Sequence, residues 1–413
     1  MKRTVLLLAS MSLVAMLACG AALAVVPSAP ASGDVDASAA AAAKDRDAAL
    51  DRALQELVAM PGGPPGVIAV VQRGQHREVH TFGVAERRTQ PPRRMRVDDR
   101  MRIASTAKAF SGAVALSLVS NNSDKLSLDA TIGERPSDLP DPPPDTWSEV
   151  TLRQLLNHTS GLPDFTAQTN EAFFAAVLAS PTQAPPPEDL LPFAWTEELN
   201  EGELLFKPGK KYHYSNTDNI AVALMVEDAT ADAYEDQLQE QVYGPLGLRR
   251  TTLPAGADLR EPFIHGYDLS PPPPEDVSED FAAGWAWASG GIVSTPADLN
   301  TFIRGYVGGE LFGRETRRQQ RKVFEGGGSE PPGPGKNSAG LALFRYETKC
   351  GTVWGHTGNT GGYTQFMAAS PDGKRSTTVS INSQLVPPDT GDQDAFKALR
   401  RAEKRAVCAA LAR

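Results

Sequence analysis

The sequence predicts an α/β fold of the α+β kind: one antiparallel sheet assembled from both ends of the chain, flanked by helices, with a mainly helical part inserted between them. Three observations lead there. Strand-like apolar runs punctuated by turn residues occur at 66–86 and again at 363–382. Between them, helical periodicities and proline-rich loops dominate. Strands at the two ends, separated by helices, pack most economically as a single sheet covered by helices. The expected division is a sheet part at about 46–110 and 285–413 and a helical part at about 111–284.

Taken in chain order, residues 1–24 come first. Lys2 and Arg3 precede an apolar stretch that ends at Ala22, Leu23 and Ala24, the pattern of a secretory signal peptide. An uncleaved anchor is the alternative; Cys19 also raises a lipoprotein, although Met16, Leu17 and Ala18 fit lipid attachment poorly. Residues 25–45, rich in Ala, Ser and Pro, read as a flexible leader. "DRDAALDRALQELVAM" (45–60) has helical spacing, and 66–86 reads as two strands turning at Arg73, Gly74 and Gln75. Residues 104–119 are apolar nearly all round, as in a helix buried on most sides. Further helices are expected at 150–157, 219–229, 232–242 and 296–306, the last with Thr295 as N-cap and Pro296 at its first position. A hairpin turns at Pro371, Asp372, Gly373 and Lys374. The C-terminal "AFKALRRAEKRAVCAALAR" reads as a helix. Proline-rich stretches at 142–144, 185–187, 271–274 and 331–334 mark surface loops, and "EGGGSEPPGPGK" reads as mobile. That stretch lacks both the glycine spacing of a phosphate loop and a Ser or Thr after Lys336.

A net charge of −9 gives no reason to expect nucleic acid as a partner. The histidines show no persuasive metal cluster, and no cofactor is implied. G-x-S-x-G is absent from the sequence, which argues against a lipase-type elbow. Cys350 and Cys408 remain in the exported part. An oxidising compartment would let them pair, pinning the C-terminal helix near residue 350, while two free thiols are the other reading.

The chemistry starts from Ser105 and Lys108 in "RIASTAKAF" (102–110). Residues i and i+3 share a helix face, so the lysine can sit beside the serine hydroxyl and take its proton. Burial in an apolar helix lowers a lysine pKa and makes it a better acceptor. In "KKYHYSNTDN" (210–219), Tyr214 and Asn216 point the same way if the backbone is extended. Tyr214 is a second candidate acid or base, and Asn216 can hold a substrate amide. In "WGHTGNTGGY" (354–363), His356 and Thr357 offer a polar wall, and the backbone N–H of Asn359 could share an oxyanion hole with that of Ser105.

Ser-x-x-Lys, Tyr-x-Asn and His-Thr-Gly, in that order, resemble the class C β-lactamase-like serine hydrolases, a family that includes secreted D-alanyl-D-alanine carboxypeptidases. "VTLRQLLNHTSGLPDF", "FKPGKKYHYSN", "YGPLGLRRTTL", "HGY" and "SGGIVSTPADL" extend the resemblance over about residues 60–410. It implies the β-lactamase/transpeptidase-like fold, with the site between the sheet and the helical domain. It implies that Ser105 is the acylated nucleophile, that Lys108 and Tyr214 share acid–base work, and that Asn216, His356, Thr357 and Asn359 meet the substrate. It also implies that Cys350 and Cys408 pair, and that His158 is structural. The leading expectation is a secreted carboxypeptidase acting on peptidoglycan stem peptides, with β-lactams as covalent inhibitors. Esterase, D-aminopeptidase or D-amidase, and β-lactamase activities share the same residues, and a non-catalytic penicillin-binding module is the remaining class. Asn359 departs from the Thr that carboxypeptidases usually carry there, leaving Arg345 as a nearby cation that could hold a carboxylate.

Overall fold

A computed structural model describes residues 32–121, 124–134, 136, 139, 141–270, 272–387 and 393–412. The expected signal peptide lies outside the described residues. Helix α1 (Ser32–Ala59) leads to strands β1 (Gly66–Arg73), β2 (His76–Gly83) and β3 (Met101–Arg102), then to helix α2 (Ala107–Asn121). The stretch expected to be a flexible leader is therefore helical from Ser32 onward. Its alanines and the following "AAAAAKDRDAALDRAL" are strong helix formers and extend the helix toward the N-terminus.

The helical part comprises α3 (Leu152–Leu156), α4 (Glu171–Ala179), α5 (Asn216–Thr230), α6 (Tyr234–Leu238), α7 (Gly244–Leu246) and α8 (Trp287–Gly290), with a two-strand ribbon of β4 (Tyr267–Asp268) and β5 (Glu275–Asp276). The chain returns through β6 (Val293–Ser294), which pairs with β3, then α9 (Pro296–Gly308) and α10 (Arg314–Gln320). Thr295 caps α9 by accepting the N–H of Asp298, with Pro296 at the first helical position.

Strands β7 (Phe324–Glu325), β8 (Lys336–Ala339), β9 (Phe344–Thr348), β10 (Gly351–Thr360), β11 (Tyr363–Ala369) and β12 (Arg375–Ile381) precede the final helix α11 (Gln393–Ala410). The main sheet runs β2-β1-β12-β11-β10-β9-β8-β7, so the first and last long strands pair antiparallel, Val67 opposite Ile381 and Arg73 opposite Arg375. This is the sheet built from both chain ends that the sequence predicts.

Side-chain alternation separates the two faces. Ile68, Met367 and Ala369 join the core formed with α2, α5 and α9. Val67, Ala69, Val71, Phe366 and Ala368 join the core formed with α1 and α11. A strand covered on both faces reads as a continuous apolar run, which is why "GVIAVV" lacks polar alternation. Helix α11 presents Phe396, Leu399, Ala402, Ala406 and Val407 at three- and four-residue spacing to this core. A Cys350–Cys408 disulfide, with Cα atoms 5.2 Å apart, fastens it to the turn between β9 and β10.

The loop expected to be mobile, 326–335, is instead tied down. The Thr357 hydroxyl donates to Pro331 O at 2.5 Å, Tyr212 donates to Gly328 O, and the Ser329 and Tyr346 hydroxyls lie 2.9 Å apart. Pro331, Gly333 and Pro334 are buried. Glycine and proline made the stretch look like punctuation, but long-range hydrogen bonds fix it.

Candidate active site

Three segments meet at Ser105. A single 3₁₀ turn, Ala104–Thr106, presents the serine, and Ala104 takes the left-handed conformation with φ 48°. Helix α2 then carries Lys108 into the core, where it is fully buried. Segment 205–213 lies along 158–161 through Leu205 N–H to Gly161 O at 2.8 Å, Gly209 N–H to Thr159 O at 2.7 Å and His213 N–H to His158 O at 2.9 Å. This places Tyr214 beside the lysine. Asn216 is not in extended backbone as expected: Ser215 is the N-cap and Asn216 opens α5. The helix start still turns it inward.

Lys108 Nζ lies 3.3 Å from Ser105 Oγ, 2.5 Å from Asn216 Oδ1 and 2.7 Å from Ser289 O. A neutral amine has two N–H groups and one lone pair. Asn216 and Ser289 O accept the two N–H bonds, which leaves the lone pair for the Ser105 O–H. Burial pushes the lysine pKa down to about 7, against the opposing pull of Asp164, Asp218 and Glu330. The Nζ also sits 5.1 Å from the Tyr214 ring centre. Burial raises the Tyr214 pKa well above its ordinary value, with Ser105 pulling the other way, so its hydroxyl keeps its proton.

Asn216 spans the site. Its Nδ2 donates to Asp164 Oδ2 at 3.1 Å and to Thr166 Oγ1 at 2.7 Å. Behind Tyr214, His158 Nδ1 is 2.7 Å from Asp218 Oδ2, and the Ser160 hydroxyl donates to Asp218 Oδ1 at 2.5 Å. The His158 ring lies tilted against the Tyr214 ring, 4.6 Å centre to centre. Burial, aided by Lys108, holds the His158 pKa near 3. The histidine therefore supports the tyrosine and faces no opening.

The remaining expected site residues are placed differently. His356 is wholly inaccessible and Thr357 is 1% exposed. His356 Nδ1 donates to Thr357 O at 2.5 Å, and the Thr357 hydroxyl is spent on Pro331 O. Thr357 lies behind the 326–335 loop and His356 packs against the rings of Phe344 and Tyr214, so the two form no open wall. Asn359 does line the cleft, but its side chain is committed: Nδ2 donates to Leu385 O at 3.1 Å and Oδ1 accepts from Thr364 at 2.8 Å. Arg345 is held by Glu325 at 2.7 Å and Glu347 at 3.5 Å.

The cleft itself, about 350 Å³, has Ser105, Thr166, Phe174, Asn216, Asn359 and Gly361 among its walls. A 420 Å³ cavity lined by Glu330, Pro331, Pro332 and Pro387 shares Asn359 with it. A 620 Å³ cavity meets it at Gly361 and Gln384. Asp164, Ser289 and Glu330 were not among the residues singled out from the sequence. Asp164 and Ser289 sat inside family-like segments, whereas Glu330 sat in the dismissed loop. Among the described residues, Asp47, Glu78 and His80 have metal-ligand spacing, brought together by α1 and β2. Arg73 already pairs with both carboxylates, so a guanidinium supplies the cation there.

Comparison with known proteins adds the following. A family model described as Beta-lactamase matches residues 50–402. A D-aminopeptidase of Cereibacter sphaeroides (strain ATCC 17029 / ATH 2.4.9) is 30% identical over 347 residues, 81% of this chain and 60% of that protein. The chain thus spans about 60% of the length of that relative. The D-alanyl-D-alanine-carboxypeptidase/endopeptidase AmpH of Escherichia coli (strain K12) is 26% identical, over 75% of this chain and 77% of that protein. Among solved structures, a D-stereospecific amidohydrolase from Streptomyces sp. superposes with a TM-score of 0.70 at 28% identity, covering 86% of this chain and 98% of that one. A D-amino acid amidase from Ochrobactrum anthropi SV3, at 22% identity and a TM-score of 0.69 over 87% of this chain and 98% of that one, shares the fold.

Proposed function

The chain belongs to the beta-lactamase family of serine hydrolases, and from that premise we propose that it cleaves amide or ester bonds of D-amino acids bearing a free amino group, as an aminopeptidase or amidase does. One observation carries the choice within the family. Apart from Lys108, no cation lines the cleft among the described residues, while the negative charges of Asp164 and Glu330 act on the catalytic lysine. With Asn359 turned to Leu385 O and Arg345 held by glutamates, a C-terminal carboxylate has no partner. An ammonium beside the scissile bond would instead meet the negative charge of Asp164, which stands behind Asn216 and Thr166 in the cleft wall and accepts their hydrogen bonds. The D-aminopeptidase and amidohydrolase relatives support the same reading.

In this reading neutral Lys108 accepts the Ser105 proton as Oγ attacks the carbonyl, and the Ser105 and Asn359 N–H groups hold the oxyanion. Tyr214 gives its proton to the leaving nitrogen and is reprotonated through Lys108. Water then cleaves the Ser105 ester, releasing the acid and restoring the hydroxyl. The expected signal peptide and the Cys350–Cys408 disulfide support an exported enzyme.

A rate comparison tests the proposal. D-Ala-p-nitroanilide should turn over faster than its N-acetyl derivative and faster than an acyl-D-Ala-D-Ala peptide, and Ser105→Ala should abolish all three. A carboxypeptidase acting on peptidoglycan stem peptides is the second reading, favoured by the likeness to AmpH over 75% of the chain. Faster release of D-Ala from the acyl-D-Ala-D-Ala peptide would establish it in place of the first. In either case a fluorescent penicillin should label wild-type protein at Ser105 and leave Ser105→Ala unlabelled.

A further inference from the structure

Glu330 has no role in the chemistry above, yet it stands at the mouth of the site. Among the described residues its carboxylate has no hydrogen-bond or ion-pair partner. Its loop is held by the Thr357–Pro331, Tyr212–Gly328 and Ser329–Tyr346 hydrogen bonds, so the residue is positioned and not adrift. Three prolines and Asn359 complete the 420 Å³ cavity around it, and no cationic side chain lines that cavity among the described residues. Asn359 also lines the Ser105 cleft, so the two spaces adjoin.

The side of the reaction on which this cavity lies follows from proton delivery. The leaving group departs toward the residue that protonates it, Tyr214. The Glu330 loop is fastened at Gly328 O to the hydroxyl of Tyr212, two residues before Tyr214, which sets the cavity on the tyrosine side of the cleft, and the charge of Glu330 acts on Tyr214 as well as on Lys108. The cavity therefore belongs to the leaving group. Glu330 is exposed at the rim of this cavity, so its carboxylate attracts a cation through partly screened solvent, and the attraction depends on ionic strength.

We propose that Glu330 and the proline-lined cavity beside it form a leaving-group subsite for positively charged groups, such as an ammonium or guanidinium on the amine or alcohol released. The subsite rests on the Ser105 acyl transfer proposed above but not on a free amino group in the acyl part. It extends the acidic character of the site from the acyl side, at Asp164, to the leaving side.

The test uses two thioesters of the same shape, acetylthiocholine and S-(3,3-dimethylbutyl) thioacetate, which differ by one positive charge. Neither carries an acyl-side amino group. At pH 8 and low ionic strength, kcat/KM should favour the choline ester by about fivefold, and the preference should shrink in 1 M salt. Glu330→Gln should bring the ratio close to one, and Glu330→Lys should reverse it, in proteins whose melting temperature matches the wild type. Equal rates with the two thioesters in the wild type would overturn the subsite alone. A preference that survives in Glu330→Gln would move the attraction to another carboxylate, such as Asp164, and overturn the assignment. A proportional fall for both substrates in Glu330→Gln would make Glu330 part of the chemistry and likewise overturn it. Absence of Ser105-dependent turnover of either thioester would remove the acyl transfer itself, and the subsite with it.

Discussion

Lys108 sets the pH dependence. Its pKa of about 7 reflects complete burial, and only its neutral form offers a lone pair to Ser105. Protonation increases as pH falls through 7, so kcat/KM should decline on the acid side by about tenfold per pH unit. The nearest histidines do not compete for this assignment. Burial holds His158 and His356 near 3, and both stay neutral across the range. Asp164 is the carboxylate that most favours the protonated lysine, whereas burial raises the pKa of Asp218 itself, so Asp164→Asn should move the acid limb to lower pH. A profile of p-nitrophenyl acetate hydrolysis between pH 5 and 9 would show it, and an unmoved limb would assign the titration elsewhere. Tyr214 is separable by leaving group. A nitrophenolate needs no proton and an amine does, so Tyr214→Phe should slow anilide turnover about a hundredfold while affecting the ester burst far less.

Strand β10 brings the sheet against the nucleophile, and two of its neighbouring glycines have opposite reasons to be small. A Cβ at Gly358 would lie 2.4 Å from Ile103 O and 3.1 Å from Ser105 N. Gly358→Ala should therefore push the nucleophile turn off the strand, costing about 1–3 kcal/mol of stability and most of the activity. A Cβ at Gly361 meets nothing within 4 Å. Gly361→Ala should leave the melting temperature unchanged, and Gly361→Val should selectively slow bulky acyl groups by narrowing the passage to the 620 Å³ cavity. Thermal denaturation and an acyl-chain series of nitrophenyl esters check both; equal stability of the two alanine variants would contradict the close approach. The hairpins β1–β2 and β11–β12 and the cap at Thr295 were legible because their signals are local: a turn residue, a side-chain alternation, a hydroxyl before a proline. So were Ser105 and Lys108, whose spacing on one helical turn fixes their contact. What could not be read depends on contacts across the chain. His356 and Thr357 look like an open wall until Phe344 and Tyr214 cover the first and the 326–335 loop covers the second, and that loop looks mobile until Tyr212, Tyr346 and Thr357 hold it. Glu330 was invisible for the same reason.

At the scale of the whole molecule, the two chain ends share one layer. Helices α1 and α11 pack together on the face of the sheet defined by Val67, Ala69 and Val71, while the turn bearing Ser105 packs on β10 and β11 with the opposite core. Arg46 donates to Cys408 O at 3.2 Å, Arg73 Nε donates to Ala409 O at 2.9 Å, and Arg375 donates to Ala412 O. The disulfide adds a covalent link across 58 residues to the same place, and removing a cross-link over a loop of that size costs about 4 kcal/mol in the chain-entropy account. Such a loss is a large share of the stability of an ordinary domain. Because the link lies on the face away from Ser105, the loss should appear in folding and not in chemistry. The Cys350→Ala/Cys408→Ala double variant should unfold at markedly lower urea, and reductant should lower the wild-type midpoint while leaving the variant's unchanged. Its kcat and KM per folded molecule should equal those of the wild type at low urea. An unchanged midpoint would mean that the helix is held by Arg46, Arg73, Arg375 and its apolar face without help. A changed KM would mean that the α1–α11 layer reaches through the sheet to the site.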